Sequence, residues 1–296
     1  MHVAITGASG FIGTALSATL RVADHQVTGI TRSQPGPGQL WWSPADQQID
    51  AAGLRGVDAV VHLAGEPIAA GRWNPEVKRR IVDSRVDGTT LIARTLAGLD
   101  DGPRVLVSAS GIDYYGDRGD EPLTEASPPG DTFLADLCVQ WEASADPARC
   151  AGVRVVHPRF GMALASHGGA LPRLLALFRL GLGGRFGSGR QFWSWVILDD
   201  VVGVILHALT QDTVSGPLNV TAPEPVTNAT FTSVLGKVLR RPTLLAVPRF
   251  GPRLVYGEMA DVLLLHSHRV LPEATLASGY TFRHTRLEEG LRSILV

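Results

Sequence analysis

The chain has 296 residues, 45% of them hydrophobic and 19% charged, and a formal net charge of −1. That length suits one large α/β domain or a nucleotide domain with a smaller second lobe. The balanced charge carries no electrostatic footprint for nucleic acid or an anionic membrane. No stretch reaches the roughly 18 uninterrupted apolar residues of a membrane span. The start, Met1-His-Val-Ala-Ile-Thr6, reads as a strand with no basic leader before it. Cys138 and Cys150 form no CxxC and no metal-ligand spacing. Neither a disulfide framework nor a metal site is expected, and a reducing cytoplasm is the default compartment.

Along the first half, short apolar runs alternate with helical patterns, as parallel βαβ units do. Strands are predicted over 3–6, 26–31, 59–63, 104–108 and 154–158, and helices over about 11–22, 75–97 and 132–148. Asp58-Ala-Val-Val-His-Leu63 and Val105-Leu-Val107 are continuous apolar runs, expected of strands covered by helices on both faces. After about residue 160 the texture becomes Gly-rich. A helix is predicted over 171–180, another from about 199 to 209, a strand over 218–221, a helix over about 228–239 and a strand over 244–248. Two helices flanking Pro272 close the chain. This reading gives an α/β fold: a Rossmann doubly wound parallel sheet (residues 1–160) and a smaller C-terminal α/β substrate lobe (161–296).

Gly7-Ala-Ser-Gly10-Phe-Ile-Gly13 follows the first predicted strand and opens the first predicted helix. In such a loop the first glycine permits a tight turn and the second lets a pyrophosphate approach the backbone. The third lets helix and strand pack closely, with the helix N-terminus facing the phosphates. The second strand ends Ile30-Thr31-Arg32-Ser33. An NAD site usually places an acidic residue here for the ribose 2′-hydroxyl. A guanidinium beside a hydroxyl instead suits a 2′-phosphate through charge-assisted bonds. The expected cofactor is NADP, as NADPH or NADP⁺.

Thr6-Gly-Ala-Ser-Gly-Phe-Ile-Gly13, His62-Leu-Ala-Gly65 after the fourth strand, and Ser108-Ala-Ser110 with Tyr115-Gly116 after the fifth resemble an extended short-chain dehydrogenase/reductase. Further blocks are similar to one branch of it, the "epimerase family" with its own C-terminal domain of unknown function. They include Gly65-Glu-Pro-Ile68, Tyr114-Tyr-Gly-Asp117, Gly187-Ser-Gly-Arg-Gln191 and Gly257-Glu-Met259. The likeness runs essentially end to end, with the family-specific segment from about residue 246. It implies a nucleotide-binding subunit of a kind often labelled a nucleoside-diphosphate-sugar epimerase, and a capacity to form a homodimer through the helices 75–97 and 132–148. It implies cofactor contacts at Gly7, Ser9, Gly10, Phe11 and Ile12, with Arg32 by the adenosine ribose. Leu63, Ala64 and Gly65 would pass the nicotinamide side.

Members of this superfamily typically carry out chemistry with Tyr-x-x-x-Lys on one helix and a serine after the fifth strand. Residues four apart share a helical face, and the ammonium lowers the phenol's pKa so that it shuttles protons near neutral pH. Ser110 stands at the serine position. The dyad is absent: no lysine lies four after any of Tyr114, Tyr115, Tyr256 or Tyr280. In one register Phe133 and Leu137 occupy its places, and in the other Leu134 and Cys138. Tyr114 or Tyr115 could bring a phenol near the nicotinamide. Glu66 could act as a base, or form a salt bridge with Arg72, Arg85 or Lys78. Cys138, between Leu137 and Val139, reads as a small buried hydrophobe.

On the substrate side, Arg85 stands where the superfamily often has an asparagine. Arg159 ends a strand, and Arg190 lies in a glycine turn before Trp193 and Trp195. Guanidinium and aromatic planes together can hold a phosphate or stack a flat group. The expectation is an NADP(H)-dependent oxidoreductase or epimerase acting on a small polar or nucleotide-linked molecule with an atypical site around Ser110, Tyr114 or Tyr115, and Glu66. The alternative is a non-catalytic NADP(H)-binding redox sensor or partner-binding protein.

Overall fold

Alternation of side chains along the first strands sets the layers of the molecule. The computed structural model describes residues 1–69 and 71–296. Strand β1 (His2–Thr6) sends Val3 and Ile5 into one core and Ala4 into another, as the two-residue period of a strand requires. β2 (Gln26–Thr31), β3 (Gln39–Ser43), β4 (Ala59–His62), β5 (Val105–Ser108), β6 (Arg154–Phe160) and β7 (Gly216–Val220) join it in the order β7-β6-β5-β4-β1-β2-β3, all parallel. Gln48–Ile49 pairs antiparallel with β3 and Ser110–Gly111 pairs with β6, making nine strands among the described residues.

Helix α1 (Phe11–Val22) buries Leu16 and Leu20 against one face, beside Val201 and Ile205 of a later helix (Leu198–Thr210). The other face carries α2 (Pro75–Ala97), which buries Leu91, Ile92 and Leu96 against Val60 and Leu106. α2 starts where it does because Asn74 Oδ1 accepts from the Val77 amide at 2.8 Å and Pro75 fills a first-turn position.

Three expectations are corrected. β3 has no counterpart among the predicted strands. The helix expected over 132–148 breaks into α3 (Phe133–Ala143) and a five-residue helix, Asp146–Cys150. Pro147 lacks an amide proton and its ring opposes the carbonyl four residues earlier, so the helix cannot run through it. Beyond residue 160, the helix Leu198–Thr210 packs on the large sheet and β7 pairs with β6 in it. Lastly, the C-terminal segment holds Phe250–Tyr256, Glu258–Ala260 and a π-turn Asp261–Leu265 before Pro272, then Glu273–Ala277 and Leu287–Leu295 after it.

The second lobe has its own core, built on α4 (Leu171–Arg179), α5 (Asn228–Leu239) and the C-terminal helix α6 (Leu287–Leu295). Leu171, Trp193, Trp195, Phe231 and Leu291 meet there. Two carboxylates, half-buried Glu125 and buried Asp200, fasten the C-terminal segment to β7 and to the helix Leu198–Thr210. Glu125 accepts from the amides of Asn219 at 2.9 Å and Ala274 at 3.0 Å, and Asp200 from the Tyr280 hydroxyl at 2.9 Å and the Arg283 amide at 2.8 Å.

Candidate functional site: a nucleotide crevice and an adjoining chamber

The chain enters the sheet at β1, with β2 to one side and β4 to the other, so the strand order reverses there and a crevice opens beyond the carboxyl ends. In register, Thr6 lies between Ile30 and His62. Gly7, the end of β2 and Leu63 therefore leave the sheet along one edge. Gly7 holds φ at +66°, a left-handed conformation that only glycine adopts cheaply. A Cβ on Gly13 would lie 2.1 Å from the Gly7 carbonyl oxygen, so a glycine is required where α1 crosses the loop. Gly10 caps α1 with no side-chain bond, and the first turn carries no acidic residue. The leading amides of α1 are thus left for an anion. These features fit a dinucleotide's pyrophosphate.

A cavity of ≈ 340 Å³ extends from this loop, past Gly7, Gly10, Phe11, Ile12 and Leu63, to Ser110. Ala64 and Gly65 continue the same edge, the Ala64 amide donating to Thr6 Oγ1 at 3.2 Å. Ser9 is exposed in the loop. Arg32 is exposed at the end of β2, with no acidic partner among the described residues.

Ser110 stands in the crevice as expected, but its hydroxyl is committed. Its Oγ is 2.7 Å from Glu142 Oε1. Arg159 Nε and Nη2 reach the two Glu142 oxygens at 2.8 Å each, a bidentate pair whose side chains are 3% and 14% exposed. Burial works to raise the Glu142 pKa, yet the Arg159 bonds outweigh it and hold the carboxyl below its ordinary range. An ionised carboxylate only accepts, so Ser110 donates to it and turns lone pairs toward the crevice.

The same network removes three expected residues from the crevice. Arg159 Nη1 donates to the Tyr115 hydroxyl at 2.9 Å, and that hydroxyl donates to Asn219 Oδ1 at 2.7 Å. Tyr115 is fully buried, and burial pushes its phenol up to about 12. It cannot shuttle protons near neutral pH. The Tyr114 ring lies 3.5 Å under the Arg159 guanidinium and lines neither cavity. Arg159, expected on the substrate, is held entirely by protein groups. Glu66 also stays outside: its carboxylate is 3.9 Å from Arg80, a partner not among the three its sequence position suggests. Arg190 is exposed and opens on neither cavity. Arg85 does line the crevice, its Nη1 donating to the Glu66 carbonyl at 3.0 Å while its guanidinium stacks 4.9 Å from the Trp141 ring. Its Nε is buried without a partner.

α3 presents Leu134, Leu137, Cys138 and Trp141 to the crevice, while Phe133 packs away against Trp73. Leu134 and Cys138 thus stand at the dyad positions. The Cys138 thiol is buried and pushed up to about 12, first by that burial and then by Asp113 and Glu142. It behaves as the small hydrophobe expected of it.

Beyond the crevice lies a second chamber of ≈ 680 Å³, bounded by α4, the Phe192–Trp193 strand and the C-terminal segment. Asp113 and Phe160 line both spaces. Sequence reasoning missed both residues: Asp113 sits in Gly111-Ile-Asp-Tyr-Tyr115, where it reads as an ordinary turn acid beside two more conspicuous tyrosines. His266 and His268 also face the chamber. Burial lowers the His268 pKa, with Asp113 opposing, so the imidazole is neutral. Among the described residues, no cluster of three histidines, cysteines or acids could hold a metal, and no helix is long and apolar enough to cross a membrane.

The chain has close relatives. Epimerase family protein MT2273 of Mycobacterium tuberculosis is 43% identical over 290 residues, covering 98% of this chain and 96% of that protein. Human epimerase family protein SDR39U1 is 38% identical over the whole length of both. The crystal structure of that human protein (isoform 2) with NADPH superposes with a TM-score of 0.91, 37% identity and 99% coverage of each chain. Residues 247–294 match a domain of unknown function, DUF1731, and residues 3–221 match the NAD dependent epimerase/dehydratase family model. The chain therefore belongs to the NAD dependent epimerase/dehydratase family, in the group of epimerase family proteins that end in that C-terminal domain.

Proposed function

We propose that this chain binds NADP(H) along β1 and α1 and is an oxidoreductase that interconverts a carbonyl and an alcohol at the junction of its two cavities. The observation that carries the reading is the junction itself. The nucleotide crevice opens, past Asp113 and Phe160, onto a chamber with room for a second molecule. A protein that only sensed its cofactor would have no use for that chamber. The NADPH in the human relative's structure supports the cofactor, as do the exposed Arg32 and the absence of an acidic residue at the end of β2.

When bound, reduced nicotinamide supplies a hydride to the carbonyl carbon; one proton must then reach the oxygen, giving the alcohol and the oxidised cofactor. Of the groups lining the crevice, the Cys138 thiol is too weak an acid and Arg85 keeps its proton. Asp113 is the carboxyl that opens on both spaces, and it takes the hydroxyl proton in the oxidative direction and returns it in the reductive one. Ser110 lines the crevice beside that oxygen with its own proton held by Glu142, so it does not compete with Asp113 as a proton donor. Glu142 and Arg159 are positioning residues that fix the Ser110 lone pairs. Leu134, Leu137 and Trp141 exclude water around the reacting atoms, which strengthens each polar contact there.

The missing Tyr-x-x-x-Lys dyad favours the second reading, a cofactor-binding protein without turnover. The test follows NADPH absorbance as the protein meets carbonyl compounds and nucleotide sugars, with Ser110→Ala and Asp113→Asn alongside. Turnover that both substitutions abolish without weakening NADPH binding establishes the oxidoreductase. Tight NADPH binding with no turnover of any compound establishes the second reading.

A further inference from the structure

The chamber beside the crevice differs sharply from what a nucleotide sugar needs. Its walls are Leu174, Leu177 and Phe178 of α4, then Val255, Met259 and Val262 of the C-terminal domain. Of its charged and hydrogen-bonding lining residues, Asp113 and Arg173 carry the formal charges, beside Trp193, Ser194, Tyr256, His266 and His268. Ser194 is spent, donating to the His268 carbonyl at 2.6 Å and accepting from the Val270 amide at 2.9 Å. Among the described residues Arg173 is then the one guanidinium lining the chamber, and it is exposed. A diphosphate demands more than that, through paired charge-assisted bonds. Arg159 and Arg190, which could have supplied them, are respectively locked against Glu142 and turned to solvent.

Apolar surface continues outward from the chamber. Leu177 is 48% exposed, Leu182 52% and Val255 58%, and all three line it. Neighbouring Leu180, Phe250 and Leu254 are also exposed. Clustered exposed apolar residues around a concave site mark a place for an apolar ligand. At its inner end the chamber meets Asp113, the carboxylate it shares with the crevice.

We propose that this chamber, walled on one side by the domain of unknown function, binds a hydrocarbon-rich molecule carrying a single ketone, aldehyde or hydroxyl oxygen, rather than a nucleoside diphosphate sugar. The apolar body lies between α4 and the Phe250–Leu265 helices. The lone oxygen takes the inner end, where Asp113 opens on both spaces. The proposal rests on the oxidoreductase reading for what happens to that oxygen, but not for the binding itself. It also gives the C-terminal domain a role, since that domain supplies the wall that sets the substrate's chemistry.

The experiment titrates nonan-2-one, and separately UDP-glucose, into the full-length protein with and without saturating NADPH, read by tryptophan fluorescence and calorimetry. Leu177→Asp and Val255→Asp are compared with the wild type. Both positions are about half exposed, so the fold survives, which a thermal melt checks. Nonan-2-one is expected to bind the wild type, with affinity at least tenfold weaker in both variants and NADPH affinity unchanged. Binding of UDP-glucose but not nonan-2-one overturns the proposal, as does nonan-2-one binding that both substitutions leave intact. Failure of NADPH to bind, with nonan-2-one binding still sensitive to both substitutions, refutes the oxidoreductase reading and leaves the chamber assignment standing.

Discussion

Replacing Glu142 by Gln tests whether Arg159 belongs to the scaffold or to the substrate. In the folded protein the two side chains are almost wholly buried and joined by two 2.8 Å bonds, and Ser110 adds a third bond to the same carboxylate at 2.7 Å. Glutamine keeps the shape but removes the charge, leaving the Arg159 guanidinium buried and uncompensated. Breaking one side of a buried pair costs about 3–5 kcal/mol. Removing both charges together, with Glu142→Leu and Arg159→Met, leaves no orphaned ion and is expected to cost less than Glu142→Leu alone. Urea unfolding followed by fluorescence and circular dichroism, with coincident transitions, gives the numbers. A loss below about 1 kcal/mol for Glu142→Gln would refute the reasoning, and so would a double variant whose cost equals the sum of the singles. Either result would mean that the pair is loosely held and that Arg159 is free to meet a ligand.

Other consequences can be checked directly. Arg32→Ala should weaken NADPH binding roughly tenfold to a hundredfold, the loss of a charge-assisted bond of about 1.5–3 kcal/mol, while NADH affinity stays unchanged; equal affinities of the wild type for the two cofactors would remove the 2′-phosphate argument. Gly13→Ala, whose Cβ would sit 2.1 Å from a backbone oxygen, should abolish NADPH binding in a calorimetric titration. Asp113→Asn should slow carbonyl reduction about a hundredfold or more with NADPH affinity unaltered. A pH series tests His62 and His157, both buried and neutral, their pKa lowered from 6.5 to about 4 chiefly by burial. Here the unfolded chain takes up the protons first. Stability from these residues is therefore complete above pH 6.5 and lost as the pH falls toward 4, by about 3 kcal/mol for each histidine. His157→Gln should remove roughly half of that slope between pH 6.5 and 4. A stability profile flat across the window would contradict the burial argument.

The nucleotide half is readable because its signals are local. A strand, a glycine loop and a helix start fall within the first dozen residues, and α2 announces itself through Asn74, Pro75 and its apolar period. The break in the 132–148 pattern is also present in the sequence, as Pro147, whose effect on the backbone outweighs the apolar period around it. β3 escapes because Trp41-Trp42 is a short apolar run between polar residues, too brief for a periodicity to emerge. The site is harder, for a physical reason. Whether Arg159 meets substrate depends on Glu142 reaching it from α3, and whether Tyr115 can titrate depends on how deeply the fold buries it. Such long-range pairing and burial are made by the sheet and leave no trace in sequence spacing. Asp113 gains its importance solely by standing where two cavities meet. The chamber's walls come from α4 and from residues some eighty positions later, so its apolar character cannot be read from either segment alone.

The claim that joins these observations is that hydride passes between NADP(H) and a carbonyl carbon beside Ser110 and Asp113. The most direct measurement incubates the protein with NADPH deuterated at C4 and a series of aliphatic aldehydes and ketones of increasing chain length, with the products read by mass spectrometry. The account expects deuterium on the carbinol carbon, more of it as the chain lengthens to fill the chamber, and about a hundredfold slower labelling with Asp113→Asn. Tight binding of the labelled cofactor with no deuterium leaving it for any carbonyl compound would contradict that account.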